Sequence, residues 1–210
     1  REFRRSPFGR GDSVTVLLSP QTIVVCCSVD GLVQPDPDGS NSQGGPRGCY
    51  PWFVDREEIL RVLRAFEEVH LEYVLIGAAA MGIHGVVRAT EDLDLFIRAT
   101  AENVERLKDA FRSVYDNDPN VDEISADDLL GDYPAVRYYP PSGDLYFDVT
   151  TRLGQAASFD SVESMVKVVD GIEVKIATPR ALYELKRDTV RPLDHRDAEA
   201  LRQKFNLEDD

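Results

Sequence analysis

The folded part of the chain first shows as a helical pattern of apolar residues downstream of residue 55. Four apolar residues follow the i, i+3, i+4, i+7 spacing of one helix face: Ile59, Val62, Leu63 and Phe66. Glu57 and Glu58 precede them in the first turn, where acidic side chains are favourable. The pattern therefore predicts an amphipathic helix over residues 56–70.

Two strands and a short helix are predicted next, and the second strand carries two carboxylates. The apolar run 73–76 stops at Gly77, and the alanine-rich segment after it favours a short helix. Residues 92–98 then alternate between apolar and polar side chains, as in a half-buried strand. Because alternate residues of a strand point the same way, we expect Asp92 and Asp94 on one face.

The rest of the chain adds one helix, two hairpins and two closing helices. Thr100 can cap the helix, whose apolar residues form one stripe. Residues 136–139 and 145–150 form the first predicted hairpin, in which Asp148 faces away from the core. The second hairpin turns at an Asp-Gly pair and is predicted over 166–169 and 172–176. The two closing helices are predicted over 179–188 and 193–205. We expect an α/β (α+β) fold with a mixed β-sheet flanked by helices, including helices at the C-terminal end.

Residues 1–50 differ in composition from the rest of the chain. Residues 34–48 combine Pro, Gly, Ser, Asn and Asp without any aliphatic residue, so they cannot bury enough apolar surface to offset the entropy of ordering. Residues 14–18 and 22–25 could pair as a short hairpin, but no core partners for them are visible. We expect a poorly ordered N-terminal extension over 1–50 and a folded domain over 51–210.

Composition and charge narrow the functional classes. The 210 residues are 42% apolar with a formal net charge of −14, and five basic and five acidic residues cancel within 1–50. A strongly acidic surface argues against nonspecific adhesion to nucleic-acid phosphates, so a nucleic-acid partner would need a local patch. We expect no membrane partner, because no apolar run approaches the roughly 18 residues of a span. We also expect no secretory signal, and therefore a cytoplasmic location, because no basic segment is followed by an apolar segment and a small-residue cleavage site. The three cysteines lack disulfide or metal spacing, which suggests a reduced compartment or an incidental tail.

Three strand carboxylates are the candidate chemistry of the chain. Asp92 and Asp94 share a strand face, and Asp148 projects from another alternating strand. Spacing alone decides little, because two aspartates flank one residue also at 36–38 and 116–118. Mg²⁺ prefers oxygen ligands, and two such ions can stabilise the attacking and leaving oxygens of an in-line displacement at phosphorus. The three carboxylates are therefore candidate ligands of a two-metal Mg²⁺ site.

The residues around this pair of aspartates carry a longer motif. The motif begins with Gly77 and Ala78 and continues, after residues 79–87, with Arg88, Ala89, Thr90, Glu91, Asp92, Leu93, Asp94 and Leu95. Together they resemble the core motif of the polymerase-β-type nucleotidyltransferase superfamily, particularly its branch of AbiEii-like and MenT-type toxins. The resemblance covers residues 55–205, and the match at Asp148 rests on the shorter segment 147–150.

The resemblance implies a role for each motif residue. Asp92, Asp94 and Asp148 would be catalytic metal ligands, with Asp148 also helping to activate the attacking hydroxyl. Lys186 is the best match for a lysine that acts on the nucleotide phosphates. The implied nucleotide-binding set is Gly77, Ala78, Arg88, Thr90, Lys186 and Asp197, with Asp194 as the rival of Asp197.

One position departs from the superfamily pattern. The wider superfamily has Gly-Ser where Gly77 and Ala78 stand here, and its serine meets the triphosphate. Because Ala78 has no hydroxyl, backbone amides or Arg88 would have to replace that contact.

The toxin branch implies a Mg²⁺-dependent nucleotidyltransferase of a toxin–antitoxin system. Such an enzyme would transfer nucleotides from an NTP to the 3′ end of tRNA, release pyrophosphate and block aminoacylation and translation. A cognate antitoxin protein would be its partner. Within residues 175–204, eight basic residues against five acidic ones could contact a phosphate-rich acceptor, although a salt-bridged helical surface explains them equally well.

Two other functions stay open. The acceptor could be a hydroxyl of a protein or of a small molecule such as an antibiotic, and the acidic surface slightly favours this alternative. The domain could instead be a catalytically silent binding module. Only the missing serine at Ala78 supports that alternative, and the presence of all three carboxylates argues against it.

Overall fold

The computed structural model describes most of the chain. It describes the backbone of residues 12–19 and 22–29, and it describes residues 56–86, 90, 92–131, 134–142, 145–153 and 158–208 with their side chains. The chain divides along its sequence into two units, Arg1–Phe53 and Val54–Asp210. The poorly ordered extension and the boundary between residues 50 and 51 stay predictions.

The first unit contains one pair of strands. Strand β1 spans Asp12–Ser19 and strand β2 spans Thr22–Val29. They pair antiparallel along their whole length, from Ser19 opposite Thr22 to Asp12 opposite Val29. The two apolar runs thus form the hairpin that their β-branched residues allow.

The second unit contains six helices and six strands among its described residues. In its first half, α1 spans Arg56–Glu68, β3 Tyr73–Ile76, α2 Gly77–Ile83, β4 Asp92–Ile97 and α3 Ala101–Val114. In its second half, α4 spans Ala126–Leu130, β5 Ala135–Tyr138, β6 Tyr146–Thr150, β7 Ser164–Val169, β8 Ile172–Ala177, α5 Pro179–Arg187 and α6 Pro192–Phe205. None of the helices within the described ranges is long and apolar enough to cross a membrane.

One six-stranded sheet organises the second unit. Its strands lie in the order β5-β6-β4-β3-β8-β7. Strand β4 is parallel to β6 and β3 is parallel to β8, whereas the other neighbours are antiparallel. The expected mixed sheet flanked by helices is therefore confirmed.

The apolar face of the sheet packs against α1 and α3. Phe111 of α3 has its ring centroid 4.8 Å from that of Phe147 on β6 and 6.0 Å from that of Phe66 on α1. Leu93 and Leu95 of β4 are also buried there. Because strand residues alternate between faces, Asp92, Asp94 and Asp148 lie on the opposite face of the sheet.

Candidate functional site

Three carboxylates meet on two neighbouring parallel strands. Asp94 of β4 lies directly opposite Asp148 of β6 in the strand register, and Asp92 lies on the same face of β4. One carboxylate oxygen from each residue lies within 4.8 Å of the other two, and all three residues are half-buried. The structure thus brings together the three aspartates that the sequence singled out, which we call the aspartate triad.

Gly77 allows the backbone at the end of β3 to approach Asp94 closely. Ile76 pairs with Asp94 across the β3–β4 ladder, and Gly77 follows with a φ of +66°. A Cβ atom at Gly77 would lie 1.7 Å from Oδ2 of Asp94, which is far inside contact distance. Only glycine satisfies both the left-handed φ and this close approach. Ala78 is 1% exposed, so its methyl group is buried and offers no polar contact to a ligand.

The motif residues before Asp92 have different positions relative to the site. The hydroxyl of Thr90 donates a hydrogen bond to Oδ1 of Asp92. In this structure Thr90 therefore orients a triad residue, which is a different contact from the nucleotide contact that the resemblance implies. Arg88 lies outside the described residues, and its phosphate role stays a prediction.

Arg137 is the site residue that the sequence did not reveal. It lies opposite Asp148 in the β5–β6 ladder. Its Nε donates a 2.6 Å hydrogen bond to Oδ1 of Asp148, and one terminal nitrogen donates a 2.6 Å hydrogen bond to Oδ2. These hydrogen bonds raise the pKa of the Arg137 guanidinium, so it remains a cation beside the triad. The available signal was an arginine three residues before the predicted turn, but its pairing with Asp148 depends on the strand register.

Lys186 lies in a mostly buried ion-pair cluster between α5 and α6. Its Nζ is 2.8 Å from Oδ1 of Asp194 and 2.9 Å from Oδ2 of Asp197. The side chains of Lys186 and Asp197 are 10% and 6% exposed. The matched lysine and both candidate late aspartates thus contact one another, whereas the group of carboxylates in the triad does not include Asp194 or Asp197.

Opposing effects act on the carboxyl group of Asp194. Burial alone would raise its pKa, but the hydrogen bond and charge of Lys186, with a further hydrogen bond from Thr189, lower it below the ordinary value. Asp194 is therefore a carboxylate at neutral pH. The ammonium of Lys186 already contacts Asp194 and Asp197. If Lys186 also binds nucleotide phosphates, it must do so while it keeps these contacts or after it exchanges them.

The basic residues of the last two helices are largely engaged with acidic neighbours. Three arginines of α5 and α6 form ion pairs with acidic partners in the pairs Arg180–Glu184, Arg187–Asp188 and Arg202–Glu199. Lys204 donates a 2.6 Å hydrogen bond to the carbonyl of Gly85. These contacts fit the salt-bridged helical surface better than a free phosphate-binding patch.

A shallow groove also lies on the α5 and α6 side of the molecule. It has a volume of about 370 Å³, and its lining consists of Tyr183, Arg187, His195, Ala198, Glu199 and Arg202. None of the residues that the sequence assigned to the site lines this groove. The groove therefore shares no residue with the aspartate triad.

The aspartate triad fits the requirements of a Mg²⁺ site. All three donors are hard carboxylate oxygens, they are carried by rigid strands, and their partial exposure leaves room for water and substrate ligands. Thr90 and Arg137 hydrogen-bond two of the carboxylates, as neighbouring side chains commonly do for metal ligands. The close backbone at Gly77 limits where the Asp94 carboxylate can lie.

Comparisons with known proteins give similarity to nucleotidyltransferase structures at low identity. No family model matches the chain, and no curated protein matches it. The antibiotic-resistance factor ANT(2'')-Ia in solution is 16% identical with a TM-score of 0.44, covering 71% of this chain and 83% of that one. An antigenic nucleotidyltransferase-like protein from Paracoccidioides brasiliensis is 16% identical with a TM-score of 0.43, covering 70% of this chain and 75% of that one.

A third solved structure is ANT(2")-Ia in complex with adenylyl-2"-tobramycin. It is 15% identical to this chain with a TM-score of 0.41, covering 70% of this chain and 87% of that one. None of these identities is high enough to transfer a substrate to this chain.

Proposed function

We propose that residues 51–210 form a Mg²⁺-dependent nucleotidyltransferase with the aspartate triad as its catalytic site. The observation that carries the proposal is the convergence of Asp92, Asp94 and Asp148 within 4.8 Å on one face of the sheet. The close approach of the Gly77 backbone to Asp94 supports it, because this geometry is costly for any residue except glycine.

The triad would hold the metal ions and prepare the acceptor. Asp92 and Asp94 would be the principal ligands, and Asp148 would complete the donor set. Bound Mg²⁺ would supply positive charge for the triphosphate and for the attacking and leaving oxygens. Thr90 and Arg137 would act as positioning residues, because they hydrogen-bond Asp92 and Asp148.

The proposed reaction is an in-line displacement at the α-phosphorus of an NTP. The oxygen of the acceptor hydroxyl forms a new bond to the α-phosphorus while the bond from that phosphorus to the bridging oxygen breaks. Pyrophosphate leaves with the bonding electrons, and the hydroxyl proton passes to a carboxylate oxygen of Asp148. Each Asp148 oxygen accepts one hydrogen bond from Arg137 and keeps a further lone pair, so one oxygen could bind a metal ion while the other accepts the hydroxyl proton.

The nucleotide would lie on the β3 side of the triad. Gly77 and Ala78 could offer backbone contacts there, and Arg88 could neutralise phosphate charge as the resemblance implies. Lys186 is proposed for the phosphates because its helix α5 contacts α2, the helix that begins at Gly77. Its ion pairs with Asp194 and Asp197 would then set the direction of its ammonium.

The proposed acceptor is the 3′ end of tRNA, and the proposed biological role is that of a toxin neutralised by an antitoxin. The resemblance to the toxin branch supports both. Nucleotides added to the 3′ end would occupy the hydroxyl that aminoacylation needs, so translation would stop.

The experiment is incubation of the full chain with each α-labelled NTP, Mg²⁺ and total tRNA, beside Asp92→Asn and Asp94→Asn variants. We expect label on tRNA with the wild type and at least a hundredfold less with either variant, because each removes a charged metal ligand. Glu105→Gln on the exposed face of α3 is the matched control and should retain the wild-type rate. Absence of label from every acceptor would refute nucleotidyl transfer.

A small cationic molecule with a free hydroxyl is the second candidate acceptor. The net charge of −14 and the paired arginines of α5 and α6 favour it over a phosphate-rich acceptor. Adding an aminoglycoside or a hydroxyl-bearing protein extract to the same reaction separates the candidates. Label on the small molecule alone, or on protein alone, would replace tRNA as the acceptor.

A further inference from the structure

Two tyrosines and an arginine form a compact, partly exposed cluster beside the triad. The ring centroids of Tyr139 and Tyr146 lie 5.2 Å apart, with a tilt of 34° between the planes. The Arg137 guanidinium lies 4.7 Å from the centroid of Tyr146, and one of its nitrogens donates a 3.4 Å hydrogen bond to the hydroxyl of Tyr139. We call these three residues the aromatic patch.

The aromatic patch is continuous with the aspartate triad. Arg137 belongs to the patch and binds both oxygens of Asp148. Tyr146 lies opposite Asp92 in the β4–β6 register and shares its sheet face with Asp148. The patch therefore borders the triad on the side toward the sheet edge, where β5 is the edge strand and β6 is its neighbour.

The sheet order separates the patch from the place proposed for the nucleotide. Gly77 follows β3, which lies on one side of β4, whereas β6 and β5 lie on the other side. The triad stands between the two. A group bound on the patch would thus approach the triad from the side of Asp148, where the proposed function places the attacking hydroxyl.

We propose that the aromatic patch stacks an unpaired nucleobase at the 3′ end of the acceptor RNA, an inference that rests on the proposed nucleotidyl transfer. Tyrosine rings and guanidinium planes are the surfaces on which proteins stack splayed bases, and such stacking tolerates any base. Tyr139 is 60% exposed, so most of its surface remains available to a ligand. Arg137 is fixed by Asp148, which keeps the planar surface ordered before a base arrives.

A role limited to hairpin stability is the alternative explanation for the patch. Cross-strand aromatic pairs stabilise antiparallel strands, and Tyr139 and Tyr146 flank the connection between β5 and β6. That role does not depend on the base of a ligand. The two explanations are therefore separated by a measurement that varies the base as well as the tyrosine.

The test is the affinity of a 5′-fluorescent single-stranded RNA that ends in CCA, measured by anisotropy with Mg²⁺ and without NTP. We expect Tyr139→Ala to weaken binding about tenfold, the effect of one stacked base, and Tyr139→Phe to change it less than twofold. An RNA with an abasic terminal nucleotide should bind the wild type about tenfold more weakly. Tyr139→Ala should then cause no further loss with the abasic RNA.

Several results would overturn the patch. These are no RNA binding by the wild type, equal affinities for wild type and Tyr139→Ala, or equal weakening of intact and abasic RNA by Tyr139→Ala. A rise in the half-saturating NTP or aminoglycoside concentration without a change in RNA affinity would assign the tyrosines to another ligand.

The patch and the proposed transfer fail in distinguishable ways. Transfer to tRNA that Tyr139→Ala leaves intact at limiting RNA would reject the patch alone. Base-dependent binding by a wild type that labels no acceptor would support the patch and reject the transfer.

Discussion

At the scale of single residues, Gly77 makes the most specific prediction about the site. Replacing it with alanine puts a methyl carbon 1.7 Å from Oδ2 of Asp94 and leaves the new residue at a φ of +66°. The carboxylate must move, so we expect Gly77→Ala to lower nucleotidyl transfer about a hundredfold, as for a misplaced catalytic group. We also expect the free energy of unfolding to fall by about 1–2 kcal/mol because of the left-handed backbone.

Gly82 provides the matched control for this substitution. It lies in the same helix, and a Cβ atom there would have no neighbour within 4 Å. Gly82→Ala should keep full transfer activity and raise the free energy of unfolding by about 0.5–1 kcal/mol, because alanine favours the helix. Urea denaturation and initial rates of label transfer measure both. Equal activity of the two variants would disprove a tight contact between Gly77 and Asp94.

The triad and its arginine partner differ in how far the sequence determines them. The alternation of apolar and polar residues placed Asp92 and Asp94 on one face and Asp148 away from the core, because the strand period is two. The pairing of Arg137 with Asp148 depends on the β5–β6 register. A slip of one residue would turn Arg137 to the other face, and the connecting loop length did not exclude such a slip.

At the scale of elements, Asn103 ties the first turn of α3 to two strands. Its side chain accepts a 2.9 Å hydrogen bond from the amide of Glu72 before β3 and donates 2.9 and 3.1 Å hydrogen bonds to the carbonyls of Glu72 and Arg98. Asn103 is 1% exposed, so water cannot replace these partners without opening the structure. We expect Asn103→Ala to lower the free energy of unfolding by about 2–4 kcal/mol, because several buried backbone groups lose a partner.

Denaturation with urea checks this prediction against a neighbouring substitution. Glu105→Ala changes the exposed face of the same helix, where Glu105 pairs with Lys108. It should change the free energy of unfolding by less than about 0.5 kcal/mol. If Asn103→Ala were as mild as this control, the three hydrogen bonds would not hold α3 to the sheet.

The helices and strands follow local signals, and their small deviations have local causes. Helix α1 was predicted over residues 56–70 but ends at Glu68, because His70 has a left-handed φ of 54°. The Asp-Gly turn between β7 and β8 has positive φ at both residues, as predicted for type I′. Helix α4 and the 3-10 turn at Pro119–Glu123 each begin after a residue whose side chain accepts a hydrogen bond from a backbone amide of the first turn, Ser125 and Asp118 respectively.

At the scale of the whole molecule, the strand order explains why the site could be only partly predicted. Strands β4 and β6 are separated along the chain by α3, α4 and β5, yet they are parallel neighbours with Asp94 opposite Asp148. Parallel neighbours require a crossover connection, and no local pattern states which strands it joins. The residue types of the triad were therefore predictable, whereas their meeting depends on long-range pairing.

The stability of the whole molecule depends on pH, and the ion-pair cluster around Lys186 predicts whether acid raises or lowers it. Hydrogen bonds from Lys186 and Thr189 and the Lys186 charge lower the pKa of Asp194 against the effect of burial. A carboxyl group whose pKa is lower in the folded state stabilises the fold above its unfolded pKa, here 3.8. That contribution is lost as the pH falls through the folded pKa.

We therefore expect Asp194→Asn to lower the free energy of unfolding at pH 7 by about 2 kcal/mol, the value of hydrogen bonds to a charged group. The difference from the wild type should start to shrink as the pH falls below 3.8, the unfolded pKa, and should be lost as the pH falls through the lower folded pKa, where Asp194 of the folded wild type becomes neutral. Asp188→Asn removes the same charge from an exposed pair with Arg187 and should cost less than about 0.5 kcal/mol at any pH. Urea denaturation of the three proteins from pH 7 to pH 3 measures these values. A difference for Asp194→Asn that stayed constant over this range would show that the ion pair with Lys186 does not control the acid sensitivity of the fold.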